Sequence, residues 1–380
     1  MPRLREIPAY ARLPLPVAAA EGCELILRDG RRVLDLYGGH CVNTLGYGDA
    51  ALGRRLAAQW QELSFVTNAL DHAPRAEFLQ AFEANLPAGG WQLFCSNSGA
   101  EANENALKIA LAVTHRSAVA AFAGAFHGRS AAAAAVTDGK AAAYPQAPLR
   151  VIRLPWGESG CLPDFVDGSV AAVIVEPIQS LAGVRVPPPG FLEALRAACD
   201  AAGALLLFDE VQTGNGRTGS FWAAQHYGVT PDLFTTAKGA AGGLPIGLTV
   251  VREEVAARMD PKLLGSTFGG GPLVLAAAAE VARRLSQPGF LGNVAAASAA
   301  LQRAASGGPV AELRGAGLLL GLVLEPGLTA AAAQAALLEH GVLTGTSNDP
   351  QVLRLTPPLV LQPQQAQRLA EALEQLEVPA

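Results

Sequence analysis

The chain has 380 residues, half of them apolar and 16% charged, which predicts a large folded domain with a smaller one rather than a disordered protein. The net charge of -5 argues against nucleic acid as a partner. The apolar stretches are too short to span a bilayer, and the first residues have no signal-peptide core. We therefore expect a cytoplasmic protein that does not bind membranes. Five cysteines without a C-x-x-C pair and six scattered histidines indicate neither a disulfide framework nor a metal site.

Strand-like apolar runs alternate with alanine-rich helical segments through the middle of the chain. QLFC (92–95) is followed by a helical stretch from Gly99 to about His115, and then come AVAAF, VAAVIV, ALLLF, DLFTT and IGLTVV. This alternation predicts an open, mostly parallel α/β sheet, which binds ligands beyond the carboxyl ends of its strands. Past about Asp260, a Gly-rich loop, an alanine-rich helix, VAELRGAGLLLGLVL and LRLTPPL are typical of a smaller α+β domain.

The first helical stretch begins with a possible anion cradle. Ser98 is a good N-cap, and the free N–H groups of Gly99 and Ala100 would face a ligand at the helix start. A phosphate fits that place, although a plain capped helix gives the same pattern.

The apolar run LLLF (205–208) ends on an acid, Asp209, before a Gly-rich loop. The loop sequence GNGRTG (214–219) matches the G-x-G-x-x-G pattern of dinucleotide-binding turns. In those turns the glycines follow the strand directly, whereas five residues starting with Asp209 intervene here. An acid at the strand end would also repel a pyrophosphate, so an NAD(P)-binding oxidoreductase is kept as the alternative from a different class.

Lys238 follows another apolar run, LFTTA, among small and apolar residues. Desolvation at such a place can lower the pKa of a lysine and make it a nucleophilic amine, but alone it is as consistent with a solvated lysine. Together with Asp209 and the anion cradle, it supplies the three groups that pyridoxal phosphate needs. In this interpretation the ionised Asp209 raises the pKa of the ring nitrogen, so that the protonated ring accepts electrons.

Six successive motifs resemble those of class III pyridoxal-phosphate aminotransferases, with the closest similarity to the acetylornithine and succinylornithine aminotransferases. They are NSGAEANENALKIA, FHGR, EPIQ, DEVQTGNGRTG, TTAKGAAGGLPIG and GSTFGG. The resemblance, from about Leu34 to Leu359, implies the α/β fold of aspartate aminotransferase, fold type I among pyridoxal-phosphate enzymes. It implies an N-terminal segment (1–40) that joins the small domain, a large cofactor-binding domain (41–260) with a mostly parallel seven-stranded sheet, a small α+β domain (261–380), and a homodimer.

The resemblance also assigns roles around the cofactor. Lys238 would bond covalently to the cofactor and then move a proton between it and the substrate. Gly99 and Ala100, with Ser98, would hold the phosphate, and Asp209 would face the ring nitrogen.

Further roles follow from the same resemblance. Phe126 would stack on the ring, Gln212 would hydrogen-bond near the ring hydroxyl, and Thr267 would reach the phosphate of the neighbouring subunit. The residues implied at the substrate, with a surface role as the alternative for the two arginines, are Ser266, Arg129 and Arg354.

Four positions depart from the family pattern. Leu181, in EPIQSLAG, stands where many relatives have a glutamate that neutralises the glutamate-binding arginine. Arg354 must then stay solvated, pair elsewhere, or meet a carboxylate on both substrates. Gly271 replaces a usual asparagine, and Ala69 and Leu70 stand where an aromatic residue often occurs. Leu181 and LDLYGGH (34–40) resemble a branch linked with succinylated substrates.

The implied activity is transfer of the δ-amino group of N-acetylornithine to 2-oxoglutarate in arginine biosynthesis. N-succinylornithine or a carrier-linked donor of lysine biosynthesis are the alternatives, followed by ornithine or 4-aminobutyrate. An aminomutase or a decarboxylase of the same fold also stays open.

Overall fold

A computed structural model of the chain describes residues 7, 9, 12–139 and 148–378. Its strands, in chain order, are β1 (Val17–Glu21), β2 (Glu24–Leu27), β3 (Arg32–Asp35), β4 (Trp91–Ser96), β5 (Ala118–Phe122), β6 (Arg150–Leu154), β7 (Val170–Val175), β8 (Leu205–Asp209), β9 (Leu233–Ala237), β10 (Gly247–Arg252), β11 (Val310–Ala316), β12 (Leu319–Leu324), β13 (Val342–Leu343), β14 (Gly345–Thr346) and β15 (Val352–Leu355).

The helical segments are α1 (Gly38–Cys41), α2 (Ala50–Glu62), α3 (Ala73–Glu83), α4 (Gly99–Thr114), α5 (Ala131–Val136), α6 (Leu162–Phe165), α7 (Phe191–Ala202), α8 (Ala223–Tyr227), α9 (Glu253–Ala256), α10 (Pro272–Leu285), α11 (Phe290–Ala305), α12 (Ala330–Glu339) and α13 (Ala366–Leu373). Short 3-10 turns cover Ser159–Cys161, Lys238–Ala241 and Pro363–Gln365. None of the described helices is long and apolar enough to cross a bilayer. A cytoplasmic location stays a prediction.

The centre of the protein is a seven-stranded sheet in the order β4-β10-β9-β8-β7-β5-β6. Neighbouring strands are parallel from β9 to β6, and β10 runs antiparallel to both β9 and β4. Strands β5, β7, β8 and β9 are buried along their whole length, because helices cover both faces of a parallel sheet. The predicted α/β architecture is therefore confirmed.

Helix α4 is the predicted helix that starts at Gly99. Its apolar residues, among them Ala106 and Ile109, are buried on the face that packs against β9 and β10. Ser98 caps its first turn, and His115 ends it in the left-handed conformation. The helix start is thus fixed at the edge of the sheet where β8 and β9 also end.

Two smaller sheets complete the fold, in the orders β1-β2-β3-β13 and β11-β12-β15-β14. The first joins two distant parts of the chain, because β13 pairs in parallel with β3 and sets Val342 opposite Leu34. The second contains the predicted strand-like stretches past residue 300. A large sheet and a smaller, separate sheet region are the predicted fold class. The boundaries at residues 40 and 260 stay a prediction.

Candidate active site

The ends of two neighbouring strands bring together the acid and the lysine singled out in the sequence. Strand β8 ends at Asp209, and β9 ends at Ala237, directly before Lys238. The strands are parallel, with Asp209 opposite Thr235. Asp209 and Lys238 line one cavity of about 470 Å³. It lies at the carboxyl edge of the sheet, where open α/β sheets bind their ligands.

The same cavity collects most of the predicted site residues. Those that line it are Ser98, Gly99, Ala100, Phe126, Arg129, Asp209, Gln212 and Lys238. Arg354, Ser266 and Thr267 are not among its lining residues. The residues predicted around the cofactor therefore meet within one chain, with Thr267 as the exception.

Asp209 is a buried carboxylate held by three N–H donors. Asn103 Nδ2 and His127 Nδ1 each lie 2.8 Å from Asp209 Oδ2, and the Val211 amide donates to Oδ1 over 3.1 Å. Asn103 is itself fixed, because its Oδ1 accepts from the Thr235 hydroxyl at 2.6 Å. These contacts fix the orientation of the Asp209 carboxyl group.

Lys238 has the environment of a reactive amine. Burial lowers its pKa, and Arg354 acts in the same direction, while Cys41, Asp209 and Glu176 partly oppose the shift. Among the described residues, Nζ has no hydrogen-bond partner. The Lys238 backbone has a φ of 41°, which is uncommon for a residue with a side chain and is typical of functional sites.

The start of α4 forms the predicted cradle. The Ser98 hydroxyl accepts from the Glu101 amide at 3.2 Å, whereas the amides of Gly99 and Ala100 have no partner in the described part of the chain. Strand β10 passes close by, since a Cβ added at Gly247 would lie 2.1 Å from the Ser98 carbonyl oxygen. Two free N–H groups at a helix N-terminus are suited to an anion.

Phe126 and Arg129 lie together at the cavity wall. Phe126 is half-buried, and its backbone N–H donates to Glu176 over 2.8 Å. The exposed Arg129 places its guanidinium carbon 5.9 Å from the centre of the Phe126 ring. No ion pair occupies Arg129 among the described residues, so it is available to a ligand.

Arg354 is buried without an acidic partner among the described residues. Its guanidinium donates to the Thr346 carbonyl at 2.7 Å, to the Ser180 hydroxyl at 3.1 Å and to the Tyr37 hydroxyl at 3.1 Å. Its guanidinium carbon also lies 5.6 Å from the centre of the Tyr37 ring. The sequence left three options for Arg354 in the absence of a glutamate at position 181: to stay solvated, to pair elsewhere, or to meet a carboxylate on both substrates. The structure shows Arg354 paired elsewhere, and all of its partners are neutral.

Segment α1 is a left-handed turn beside these groups. Gly38, Gly39, His40 and Cys41 have φ values of 56°, 59°, 63° and 67°. Gly38 must be glycine, because an added Cβ would lie 2.5 Å from the Thr356 carbonyl oxygen. His40 and Cys41 each cost about 1–2 kcal/mol in this conformation. The turn sets His40 against the Tyr37 hydroxyl and Cys41 against Gln212.

Ser266 and Thr267 lie on a loop next to a second cavity of about 420 Å³. Ser266 reaches the first cavity indirectly, since its hydroxyl accepts from Asn97 at 3.3 Å and Asn97 lines that cavity. Thr267 is exposed, and so is Phe268, whose ring centre lies 5.4 Å from that of Phe65. Within one chain, the structure does not bring Thr267 to the cradle.

Several site residues were missed in the sequence. Asn103 is a polar residue on the apolar face of α4, and Glu176 is an acid at the end of a buried strand, as Asp209 is. Both residues could therefore have been predicted at the site from the sequence. Burial raises the pKa of Glu176 to about 7. His127, Ser180 and Tyr37 gave no such signal, because only the tertiary fold brings them to the site.

The Gly-rich loop 214–219 packs against the smaller sheets instead of opening a helix. Arg217 donates to the carbonyl oxygens of Leu318 at 3.1 Å and Pro357 at 2.5 Å. The next helix, α8, begins only at Ala223. This geometry lacks the strand-loop-helix unit of a dinucleotide site, so the oxidoreductase alternative is not supported.

The cavity fits pyridoxal phosphate. The free amides of Gly99 and Ala100 suit its phosphate, the fixed carboxylate of Asp209 suits a protonated ring nitrogen, and the amine of Lys238 suits its aldehyde. The three groups line the same cavity.

The comparisons with known proteins agree with this chemistry. Residues 8–376 match the model of the family described as aminotransferase class III. The chain is 42% identical to an acetylornithine aminotransferase of Streptomyces coelicolor over 358 residues, which cover 93% of this chain and 88% of that protein.

Two solved structures have the same fold. An N-acetylornithine aminotransferase from Stenotrophomonas maltophilia superposes with a TM-score of 0.82 and 30% identity over 96% of each chain. An ornithine aminotransferase from Toxoplasma gondii superposes with a TM-score of 0.89 and 27% identity, over 97% of this chain and 91% of that one.

Proposed function

Because the chain belongs to the class III aminotransferases and is therefore a pyridoxal-phosphate-dependent transaminase, we propose that its amino donor is N-acetylornithine. The δ-amino group would move to 2-oxoglutarate and give N-acetylglutamate 5-semialdehyde and glutamate, as in arginine biosynthesis. The observation that carries the proposal is one cavity lined by Lys238, Asp209 and the free amides of α4. The choice of donor is supported by the names of the Streptomyces and Stenotrophomonas relatives.

The proposed cofactor contacts divide between the two ends of the cavity. Gly99 and Ala100 would bind the phosphate, with Ser98 keeping α4 capped, and Phe126 would cover one face of the ring. Asp209 would keep the ring nitrogen protonated, since its own charge is fixed by Asn103 and His127. Bound pyridoxal phosphate supplies an aldehyde for the amino group and a ring that accepts the electrons of a breaking C–H bond.

Lys238 would anchor the cofactor and then carry the proton of the transfer step. A lowered pKa keeps more of its amine unprotonated at neutral pH than in an exposed lysine. An unprotonated amine can attack an aldehyde and can take a proton from carbon. Nothing in the described chain holds Nζ away from the cavity.

Arg354 and Arg129 are our candidates for the two substrate carboxylates. Three of the five N–H groups of Arg354 have partners, which leaves two for a bidentate carboxylate, the α-carboxylate of glutamate. Arg129 would bind the carboxylate of the acylated donor. The acyl group on the donor's α-amine prevents cyclisation and leaves one reactive amine.

A homodimer is the proposed active form. The exposed apolar side chains Phe65 and Phe268 adjoin Thr267, which the family resemblance assigns to the neighbouring subunit's phosphate. An apolar patch beside a polar residue without a local role is typical of a subunit interface.

A substrate panel tests the proposed donor. Acetylornithine, succinylornithine, ornithine and 4-aminobutyrate are each assayed with 2-oxoglutarate, and the glutamate formed is compared with the amine consumed. We expect the highest kcat/KM with acetylornithine. A higher value with succinylornithine would reassign the acyl group. Amine loss without glutamate would contradict transamination and favour a decarboxylase or an aminomutase.

Leu181→Glu is expected to change the balance between the two half-reactions. An acid next to Ser180 would pair with Arg354, which has only neutral partners in this chain, and would compete with the carboxylate of 2-oxoglutarate. We expect kcat/KM for 2-oxoglutarate to fall about tenfold, the effect of weakening one charged hydrogen bond. The value for a δ-amine donor should fall less.

Leu181→Gln is the matched control, because it has the size of glutamate without its charge. It should leave the ratio of the two kcat/KM values close to that of the natural chain. Equal ratios for the glutamate and glutamine variants would mean that position 181 does not act on Arg354.

A further inference from the structure

Ser180 is hydrogen-bonded to both Arg354 and Gln212, two side chains that have different roles in the proposed function. The serine is fully buried, directly before Leu181. Its hydroxyl accepts from Arg354 Nη1 over 3.1 Å and donates to Gln212 Oε1 over 3.1 Å. Arg354 is our candidate for the substrate carboxylate, and Gln212 lines the cofactor cavity.

The direction of this short chain of hydrogen bonds is fixed by chemistry. A guanidinium can only donate, so Ser180 must accept from Arg354. Because Ser180 is fully buried, its hydroxyl hydrogen needs an acceptor within the protein, and Gln212 Oε1 is that acceptor. Cys41 Sγ lies 3.6 Å from the same oxygen and can donate to it weakly. Gln212 thus receives two hydrogens on its carbonyl side.

The amide nitrogen of Gln212 must therefore point the other way. Among the described residues Nε2 has no partner, and Gln212 lines the cavity. Turning the amide over would leave the buried serine hydrogen without an acceptor, which is unfavourable. The hydrogen bond from Ser180 thus fixes the carboxamide of Gln212 with its N–H groups, which are donors, toward the cavity.

We propose that Ser180 is a positioning residue that holds Gln212 as a hydrogen-bond donor to the cofactor and links that donor to Arg354. The inference deepens the proposed function and relies on its cofactor site, but not on the identity of the amine donor. A glycine or an alanine at position 180 would leave Gln212 free to turn its carbonyl oxygen toward the cavity.

The linkage also has a consequence for substrate binding. A carboxylate that draws Arg354 toward itself polarises or loosens the bond from Nη1 to Ser180, and the serine passes that change to Gln212. Binding of the substrate carboxylate and hydrogen bonding to the cofactor are therefore coupled through one hydroxyl.

The test follows the near-visible absorption band of the holoenzyme, without any substrate. In Ser180→Ala we expect the pH midpoint of this band to rise by about one pH unit. The midpoint reports loss of the proton from the lysine–cofactor link. When the cofactor's ring oxygen loses the hydrogen bond from Gln212, it holds that proton more tightly. Ser180→Thr keeps the hydroxyl and should restore the midpoint. In a Gln212→Ala background, Ser180→Ala should add no further shift. The KM for 2-oxoglutarate should rise in Ser180→Ala with little change in kcat.

Ser298→Ala is the matched control, since Ser298 is a buried serine that accepts from Gln302 over 3.2 Å in α11, outside the cavity. We expect a lower thermal stability for this variant but an unchanged midpoint. An unshifted midpoint in Ser180→Ala would overturn the proposal. So would a full shift that persists in the Gln212→Ala background. If Ser180→Ala does not fold, Ser180→Gly removes the same hydroxyl and is measured instead. A failure of acetylornithine in the substrate panel would leave this spectroscopic result intact.

Discussion

Lys238→Ala is expected to abolish turnover. The change would remove both the proposed covalent anchor of the cofactor and the amine proposed to carry the proton. Loss of a positioned acid–base group alone costs up to about 10⁴-fold in rate, so we expect a fall in kcat/KM of at least that size. The measurement is kcat/KM with the preferred donor, combined with peptide mass analysis after borohydride reduction. The natural chain should carry the reduced cofactor on the peptide that contains Lys238.

Lys262→Ala is the matched control for that experiment. Lys262 is exposed in a turn after α9 and lies outside the cavity. The variant should keep its rate and its labelled peptide. Full activity in Lys238→Ala, or the cofactor attached to a different lysine, would contradict the proposed role.

Asp209→Asn should have the second largest effect. Asparagine keeps the size of the side chain and an oxygen for Asn103 and His127, but it removes the buried charge. A contact ion pair is worth about 4 kcal/mol at an effective dielectric constant of about 20, which corresponds to roughly a thousandfold in rate. We expect a loss of that order in kcat, with the cofactor bound more weakly. Both are measured on the purified variant, by assay and by cofactor titration.

Asp232→Asn controls for the loss of a structural acid on the same sheet. Asp232 pairs with Arg196 over 2.8 Å and accepts from the Leu206 amide at 2.7 Å, away from the cavity. Its replacement should lower stability but leave kcat near that of the natural chain. If Asp209→Asn lost no more activity than Asp232→Asn, Asp209 would not act on the ring nitrogen.

That Ser98, Asp209 and Lys238 lie close together was predictable because each follows from a local pattern. Buried strands that end on Asp209 and just before Lys238 must place these residues at one edge of a parallel sheet. Ser98 marks a helix start without reference to the rest of the fold. The same rules predicted the large sheet, since a short run rich in β-branched residues, such as VAAVIV, is typical of a strand covered on both faces.

The substrate half was less predictable because it is assembled from distant segments. The partners of Arg354 come from a turn near residue 37 and a loop at residue 180, and neither their spacing nor their composition links them. The left-handed turn α1 was also invisible, because YGGHC gives no sign that His40 and Cys41 adopt positive φ. A role for Thr267 at the phosphate of a neighbouring subunit was implied by the family resemblance alone and stays a prediction.

The pairing of β3 with β13 can be completed only late in the synthesis of the chain, because β13 lies about 310 residues after β3. The segments that line the cavity leave the ribosome first, whereas Arg354 and the strand that pairs with the edge of β3 leave it near the end. Until then the nascent chain presents an open strand edge, which other chains can join. The residues that line the cavity, from Val42 to Ile246, are therefore synthesised well before Arg354, our candidate for a substrate carboxylate.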